Sequence, residues 1–252
     1  MTTLCLQEEL DTHGVAVVRS LVSRRDAHHL SGAFNQLLDL ARTLPATSEL
    51  GGSQFVIERG VEQEFRLKRV VWCGGASPSL GRYGSDRRVL ELAALALGRP
   101  DVTQIIQQAH FKLPGDGVDF AWHQDASNRR YGSELWTDLD GRGSFVQIAL
   151  AVDPMGPGNG GLEFIRGSHR LGFVANPQTG VIAPGTFDPN DKWVPHLEPG
   201  DAVVFGPFVI HGSGPNLSRD SRRLFLQGFA TPGANRRIYP GCGTGVARRY
   251  RP

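Results

Sequence analysis

Two metal-binding side chains stand two residues apart in AWHQDA, residues 121–126: His123 and Asp125, with Gln124 between them. Successive side chains on a strand alternate faces, so a pair at i and i+2 can grip one ion from a single segment. A predicted strand over Phe120–Asp125 therefore turns His123 and Asp125 to one side and Gln124 to the other. A third ligand must come from elsewhere. If it is a histidine, two imidazoles and one carboxylate share one face of the metal. That is the arrangement of non-haem Fe(II) oxygenases, with positions open for O2 and an organic co-substrate.

An H-x-D triplet is weak evidence in a chain with eight histidines, so the partner decides. His196 and Glu198 form a rival H-x-E, but Pro195 and the following Pro199-Gly200-Asp201 make that segment a turn. His211, in FGPFVIHGSGP, ends an apolar run before a Gly-rich turn and is far from His123 in sequence, as two facing strands of a jelly roll require. We take His211 as the third ligand; its bland alternative is a buried, hydrogen-bonded histidine. Arg222 and Arg223 open the strand that continues LFLQGFA, and a guanidinium there needs an anionic partner, such as one end of a dicarboxylate. Composition does not choose between the two. Ser213, two residues past His211, can donate a hydrogen bond on the same face. Gln147 is the polar residue of FVQIALAV, and Gln108, His110 and Lys112 share one face of IIQQAHFKL, so all four are candidates to line the cavity. Trp122 is assigned to the core.

GPGNGG fits G-x-G-x-x-G in Gly156, Gly158 and Gly161, but a short strand follows it instead of a helix, so it is no dinucleotide loop. The chain contains no HExxH, no Walker loop and no G-x-S-x-G elbow.

The elements that must position these residues fall into two textures. Up to about residue 100 the chain reads as a helical buttress with the first strands. A short helix ends at Gly14 and VAVV follows it; Ser23 with Asp26 forms a capping box for a helix that Pro45 stops; and a third helix starts at Ser85 or Asp86 and closes at Gly98. Residues 47–60 read as a loop and Phe65–Trp72 as a strand. From 101 to 232, strands are predicted at Val102–Leu113, Phe120–Asp125, Phe145–Asp153, Leu162–Ile165, Ala202–Phe205, Val209–His211 and Arg222–Ala230, joined by Gly/Pro turns. Short strands without helices between them indicate a sandwich or jelly roll. Residues 233–252 form an Arg-rich tail, expected to be solvated and partly mobile.

A chain of 252 residues supports one domain, residues 1–252, with a well-buried core. A net charge of +2 gives no electrostatic case for nucleic acid or an anionic membrane, and no apolar run reaches the length of a spanning helix. The partner is a small molecule. Cys5, Cys73 and Cys242, scattered and odd in number, read as reduced thiols of a cytoplasmic protein.

Together these residues resemble the phytanoyl-CoA dioxygenase family of Fe(II)- and 2-oxoglutarate-dependent oxygenases. WHQD at 122–125 is similar to the family's first metal motif, GGLEFIRGSHR at 160–170 to its central segment, and PGDAVVFGPFVIHGSGPN at 199–216 to its distal histidine motif. The likeness extends to LQEELDTHGVAVVRSLVS near the N-terminus and is weakest over 43–85 and 128–144. It implies a mainly β fold with flanking α-helices, the double-stranded β-helix (jelly roll, cupin-like). It implies Fe(II) on His123, Asp125 and His211, and 2-oxoglutarate and O2 as co-substrates. Among the two arginines it singles out Arg222, with Ser213, for the 2-oxoglutarate carboxylate; Gln147, His110 and Gln108 complete the expected co-substrate pocket. Related halogenases carry a small residue where Asp125 stands, so oxygenation is implied. The segments that form substrate pockets in such enzymes carry Phe55, Arg59, Lys68, Asn128, Arg129, Arg130, Tyr131 and Trp136; we single out Lys68, Asn128, Arg130 and Trp136 as substrate contacts. Hydroxylation of an unactivated C–H bond is the expected outcome, with epoxidation, desaturation, cyclisation or epimerisation as alternatives at the same site. A non-catalytic jelly-roll binding protein is the alternative outside enzymes, and a zinc hydrolase of the cupin kind a distant third.

Overall fold

The computed structural model describes residues 3–59 and 65–252, with Thr3 and Leu4 as backbone alone. The element order is α1 (Thr3–His13), β1 (Val15–Val18), α2 (Arg24–Arg42), β2 (Ser48–Leu50), β3 (Ser53–Arg59), β4 (Phe65–Val71), α3 (Pro78–Gly81), α4 (Arg87–Leu97), β5 (Asp101–Lys112), β6 (Phe120–His123), α5 (Asp125–Arg129), β7 (Phe145–Ala151), β8 (Glu163–Phe164), β9 (Ala202–Phe205), β10 (His211–Ser213), β11 (Arg222–Ala230) and β12 (Val246–Arg249).

The helix boundaries follow local chemistry. Ser23 and Asp26 make the expected capping box at the start of α2, and Asp86 accepts from Arg88 N at the start of α4, which Gly98 ends in a left-handed conformation (φ 66°). α2 buries Ala27, Leu30, Phe34, Leu37 and Ala41. Phe34 meets Phe111 of β5 and Phe225 of β11 at centroid distances of 5.3 and 6.1 Å, which seats the helix on the sheet.

Two antiparallel sheets face each other in a jelly roll. The larger has the order β1-β9-β7-β11-β5-β4-β3-β2, with β12 also on β5; the smaller is β6-β10-β8. The period of two sorts each central strand. Ala109, Phe111, Phe225, Phe229, Ile148 and Leu150 enter the core under the helices, whereas Gln108, His110, Gln147, Arg222 and Leu224 line a cavity on the opposite face. In the small sheet His211 stands directly across from His123.

Arg223 shows the same alternation. It points to the helical side, where Nε and Nη2 donate to Asp153 at 2.7 Å each and Nη1 reaches Asn35 of α2. Both partners are nearly buried, so Asp153→Ala leaves an uncompensated cation. Ser31 and Asn35 retain part of its hydrogen bonding. The expected loss is about 3 kcal/mol, the lower end for a broken buried pair, measured by urea unfolding.

Three expectations are corrected. Residues 48–59 are not a loop but the β2–β3 hairpin, because Gly51 and Gly52 supply positive φ for a two-residue turn and Phe55 and Ile57 alternate into the core; Gly60 lies outside the described residues. The strand predicted over Phe120–Asp125 ends at His123, and Asp125 belongs to the first turn of α5. The 233–252 segment is not a solvated end: β12 pairs with β5 at Val246↔Gln104, and Tyr239 is buried. Shorter shifts also occur: β8 covers only Glu163–Phe164 of the predicted Leu162–Ile165, and β10 begins at His211, where the predicted strand ends. Cys5, Cys73 and Cys242 are all unpaired. Among the described residues no helix is long and apolar enough to cross a membrane.

Candidate active site

His123 closes β6 and His211 opens β10. Each donates from Nδ1 to a backbone carbonyl two residues upstream, Ala121 O at 2.8 Å and Val209 O at 3.0 Å, assigning the tautomer that leaves Nε2 free. Asp125 Oδ1 lies 3.8 Å from His123 Nε2 and Oδ2 lies 3.7 Å from His211 Nε2, and one ligand atom of each residue lies within 4.8 Å of the others. Burial, aided by His123, pushes the His211 imidazole down to about 4, so it is neutral at pH 7. For Asp125, burial alone would raise the carboxyl; His211, His123 and Arg129 outweigh it and the net direction is down. Neutral imidazoles and an ionised carboxylate are the protonation states that a divalent cation needs.

Gln124 explains why the chain leaves the strand before Asp125. Its buried amide donates to Gly172 O and Phe208 O and accepts from Val174 N and Ala175 N, four bonds that pin the turn opening α5. Asp125 thus reaches the centre from a helix start, not by strand alternation. Gln147 Nε2 and Asn128 Nδ2 both donate to its carboxylate, so Gln147, expected on the co-substrate, is seen to hold Asp125.

The centre opens on a cavity of about 330 Å³. On one wall Arg222 is 1 % exposed, its Nε has no partner, and its side chain forms no hydrogen bond or ion pair among the described residues. Burial lowers its pKa to about 10, with Asp116 and Asp153 as distant counter-charges. The ambiguity with Arg223 is therefore physical and resolved: Arg223 is satisfied on the helical side, and Arg222 faces the cavity unsatisfied.

Beside Arg222, Lys112 is fully buried and donates to Ser213 Oγ at 2.6 Å, Ser213 O at 3.1 Å and Gly214 O at 2.5 Å. Because Lys112 occupies a lone pair of Ser213 Oγ, the hydroxyl proton is free for an acceptor in the cavity. Its alkyl chain passes over Gly160, where an added Cβ would stand 2.8 Å from Lys112 Cδ; a glycine is needed there. His110, kept neutral by burial and by Arg69, Arg222 and Lys112, contacts Gln108 Oε1 at 2.9 Å, and both line the cavity.

The predicted substrate contacts divide. Asn128 lines the cavity. Lys68 instead pairs with Glu58 at 3.2 Å, Arg130 is exposed at the end of α5, and Trp136 is core, its indole donating to Gly143 O. Phe55 is core, Arg59 bonds Leu44 O and Pro45 O, and Tyr131 packs between Phe173 and Phe208. Trp122, expected in the core, is half-buried against Phe187. Lining residues not anticipated are Gln54, Arg69, Phe120, Arg237 and Tyr239. The alternation of QFVI would have placed Gln54 opposite Phe55; nothing in the tail marks Arg237 or Tyr239.

A family model, Phytanoyl-CoA dioxygenase (PhyH), matches residues 10–224. A methylphosphonate hydroxylase of Gimesia maris is 29% identical over 55% of this chain and 49% of its own length. The chain thus spans about half of that relative. The crystal structure of EvdMO1 superposes with a TM-score of 0.74 at 20% identity, covering 92% of this chain and 50% of that one. The epimerase SnoN, in complex with Fe3+, alpha ketoglutarate and nogalamycin RO, superposes at 0.67 and 19% identity, covering 97% and 87%.

Proposed function

Because the chain belongs to the phytanoyl-CoA dioxygenase (PhyH) family, we propose that it is an Fe(II)- and 2-oxoglutarate-dependent oxygenase, built as one domain, that hydroxylates a C–H bond of a small molecule. The observation that carries this reading is Arg222, a buried and unpartnered guanidinium on the wall of the cavity that holds His123, Asp125 and His211. Two imidazoles with one carboxylate suit a borderline cation such as Fe(II), and an orphaned guanidinium fork suits a carboxylate.

His123 Nε2, His211 Nε2 and the Asp125 carboxylate would hold Fe(II). Gln147 and Asn128 orient Asp125, and the Ala121 and Val209 carbonyls orient the imidazoles. Arg222 and the Ser213 hydroxyl would take the distal carboxylate of 2-oxoglutarate, with Lys112 fixing Ser213. Iron, 2-oxoglutarate and O2 together supply the oxidising power, releasing succinate and CO2 as the substrate is oxidised. The chain's own part is to fix the co-substrate, exclude water with Phe120, Leu162, Leu224 and Leu226, and place the substrate's C–H bond. Asp125 fills a coordination position, which favours oxygenation over halogenation. The unpaired thiols fit a reducing cytoplasm. Incubation with Fe(II), 2-oxoglutarate and O2 should yield succinate; His211→Ala producing it at the wild-type rate would remove the ligand assignment.

Lys112 gives this reading a pH signature. Burial, then Arg222, pulls its ammonium from an ordinary 10.5 down to about 7. The folded value lies below the unfolded one, so the charged form costs stability in full below about pH 7. The cost fades as pH rises from about 7 to 10.5, where the unfolded chain holds more protons and stability increases with pH. A carboxylate bound beside Arg222 favours the charged lysine again. At pH 8, 2-oxoglutarate binding to the anaerobic iron-loaded enzyme should therefore take up part of a proton, read by calorimetry in buffers of different ionisation enthalpy. Uptake that persists unchanged in Lys112→Met contradicts the assignment.

A further inference from the structure

The cavity carries more positive charge than this reaction uses. Among the described residues its walls hold four guanidiniums, Arg69, Arg129, Arg222 and Arg237, against one carboxylate, Asp125. Fe(II), Asp125, a dianionic co-substrate and Arg222 balance one another, which leaves Arg69, Arg129 and Arg237 without a counter-charge among the described lining residues. The anion nearest to Arg69 in effect is Glu58, which already pairs with Lys68.

Arg129 is the informative one. It is 6 % exposed, and its Nε and Nη1 have no hydrogen-bond partner. The guanidinium stacks over Phe145 at 5.2 Å and Tyr239 at 4.9 Å. Stacking uses the faces of a guanidinium and leaves its in-plane N–H groups pointing outward, so packing accounts for the position and not for the idle donors. The Tyr239 hydroxyl is also buried without a partner. The Arg237 guanidinium lies 5.0 Å over the Tyr239 ring and makes one hydrogen bond, Nη1 to Asn128 O at 2.5 Å. Phe145, beneath Arg129, pairs with Ala230 at the end of β11, whereas Arg222 is its first residue. Arg129 and Arg222 thus stand toward opposite ends of one strand. Arg237 and Tyr239 lie beyond residue 224, where the family match stops.

We propose that the Arg129 end of the cavity binds the substrate through an oxyanion headgroup, a carboxylate or a phosphonate, with Arg129 as its anchor and the Tyr239 hydroxyl as a second donor. The proposal rests on the reading that Arg222 serves the co-substrate. A cavity of about 330 Å³, shared with that co-substrate, restricts the substrate to a small molecule. Arg129, Tyr239 and Arg237 would be specificity-determining: a neutral ester or amide of the same substrate leaves buried donors unpaired and is rejected.

The test uses the full, metal-free chain carrying Arg222→Met, which removes the co-substrate's anion site, and measures binding of acetate, inorganic phosphate and methylphosphonate by calorimetry and NMR. One saturable site is expected. Adding Tyr239→Phe, which keeps the stacked ring, or Arg129→Lys, which keeps the charge but loses the fork, should each weaken binding at least about tenfold. The preference between acetate and the phosphorus oxyanions identifies the headgroup. No saturable binding to Arg222→Met, or equal affinity in all three proteins, overturns the proposal. Failure of the oxygenase reading would show separately, as absence of iron-dependent 2-oxoglutarate binding in the unsubstituted chain.

Discussion

Asp125→Ala is expected to lose Fe(II) binding by more than about 100-fold, and turnover with it, while keeping its fold. Changing a group that merely orients a ligand costs roughly 10- to 100-fold in metal affinity, and Asp125 is the only anion of the set. Its removal leaves only imidazole ligands, that of His211 held neutral by burial, with no charge to offset that of the metal. Structural damage should be modest, because the buried Gln147 amide loses one acceptor, a cost of about 1–3 kcal/mol. Anaerobic Fe(II) titration with circular dichroism separates the two effects. Gln147→Leu, which removes the donor and keeps the ligand, should fall between this variant and wild type.

Arg222→Met is expected to move two quantities in opposite directions. Truncating one partner of a buried charge pair costs about 2–5 kcal/mol, so 2-oxoglutarate affinity should fall by about 30-fold to several thousand-fold. Without the ligand, the same guanidinium is a buried cation with no hydrogen-bond partner. Replacing a buried charge by an apolar side chain of similar volume is often stabilising, by about 1–4 kcal/mol. The ligand-free variant should therefore unfold at higher urea concentration than wild type. A structural arginine would give the reverse, lower stability with unchanged 2-oxoglutarate binding, as expected at Arg223.

Residues whose placement depends on strand period were legible. β7, and β5 beyond its bulge at Ile105, alternate cleanly, so His110 and Gln147 reached the cavity side that their spacing allowed, whereas only the family resemblance, not spacing, preferred Arg222 to Arg223. His211 was found because its separation from His123 and its place between an apolar run and a Gly-rich turn suit a facing strand, while its rival His196 sits in a turn. Asp125 came out in the right place by the wrong geometry: the i, i+2 spacing was read as a strand, while Gln124 bends the chain into α5 through contacts that sequence does not display. The misplaced contacts have separate causes. Lys68 is taken by Glu58 on the neighbouring strand, Arg130 is the exposed, left-handed residue that ends α5, and Trp136 bridges to Asn235 and donates to Gly143 O, contacts that periodicity does not report. Arg237 and Tyr239 were missed because a Gly- and Arg-rich segment looks solvated until β12 ties it to β5.

Joint binding of iron and 2-oxoglutarate at this centre is read out by anaerobic titration of the full chain with 2-oxoglutarate in the presence and absence of Fe(II), followed by visible absorption and calorimetry. One Fe(II) per chain is expected, with a charge-transfer band that appears only when both are present and is lost in Asp125→Ala. Binding of 2-oxoglutarate that is indifferent to Fe(II), or an unchanged band in Asp125→Ala, would contradict it.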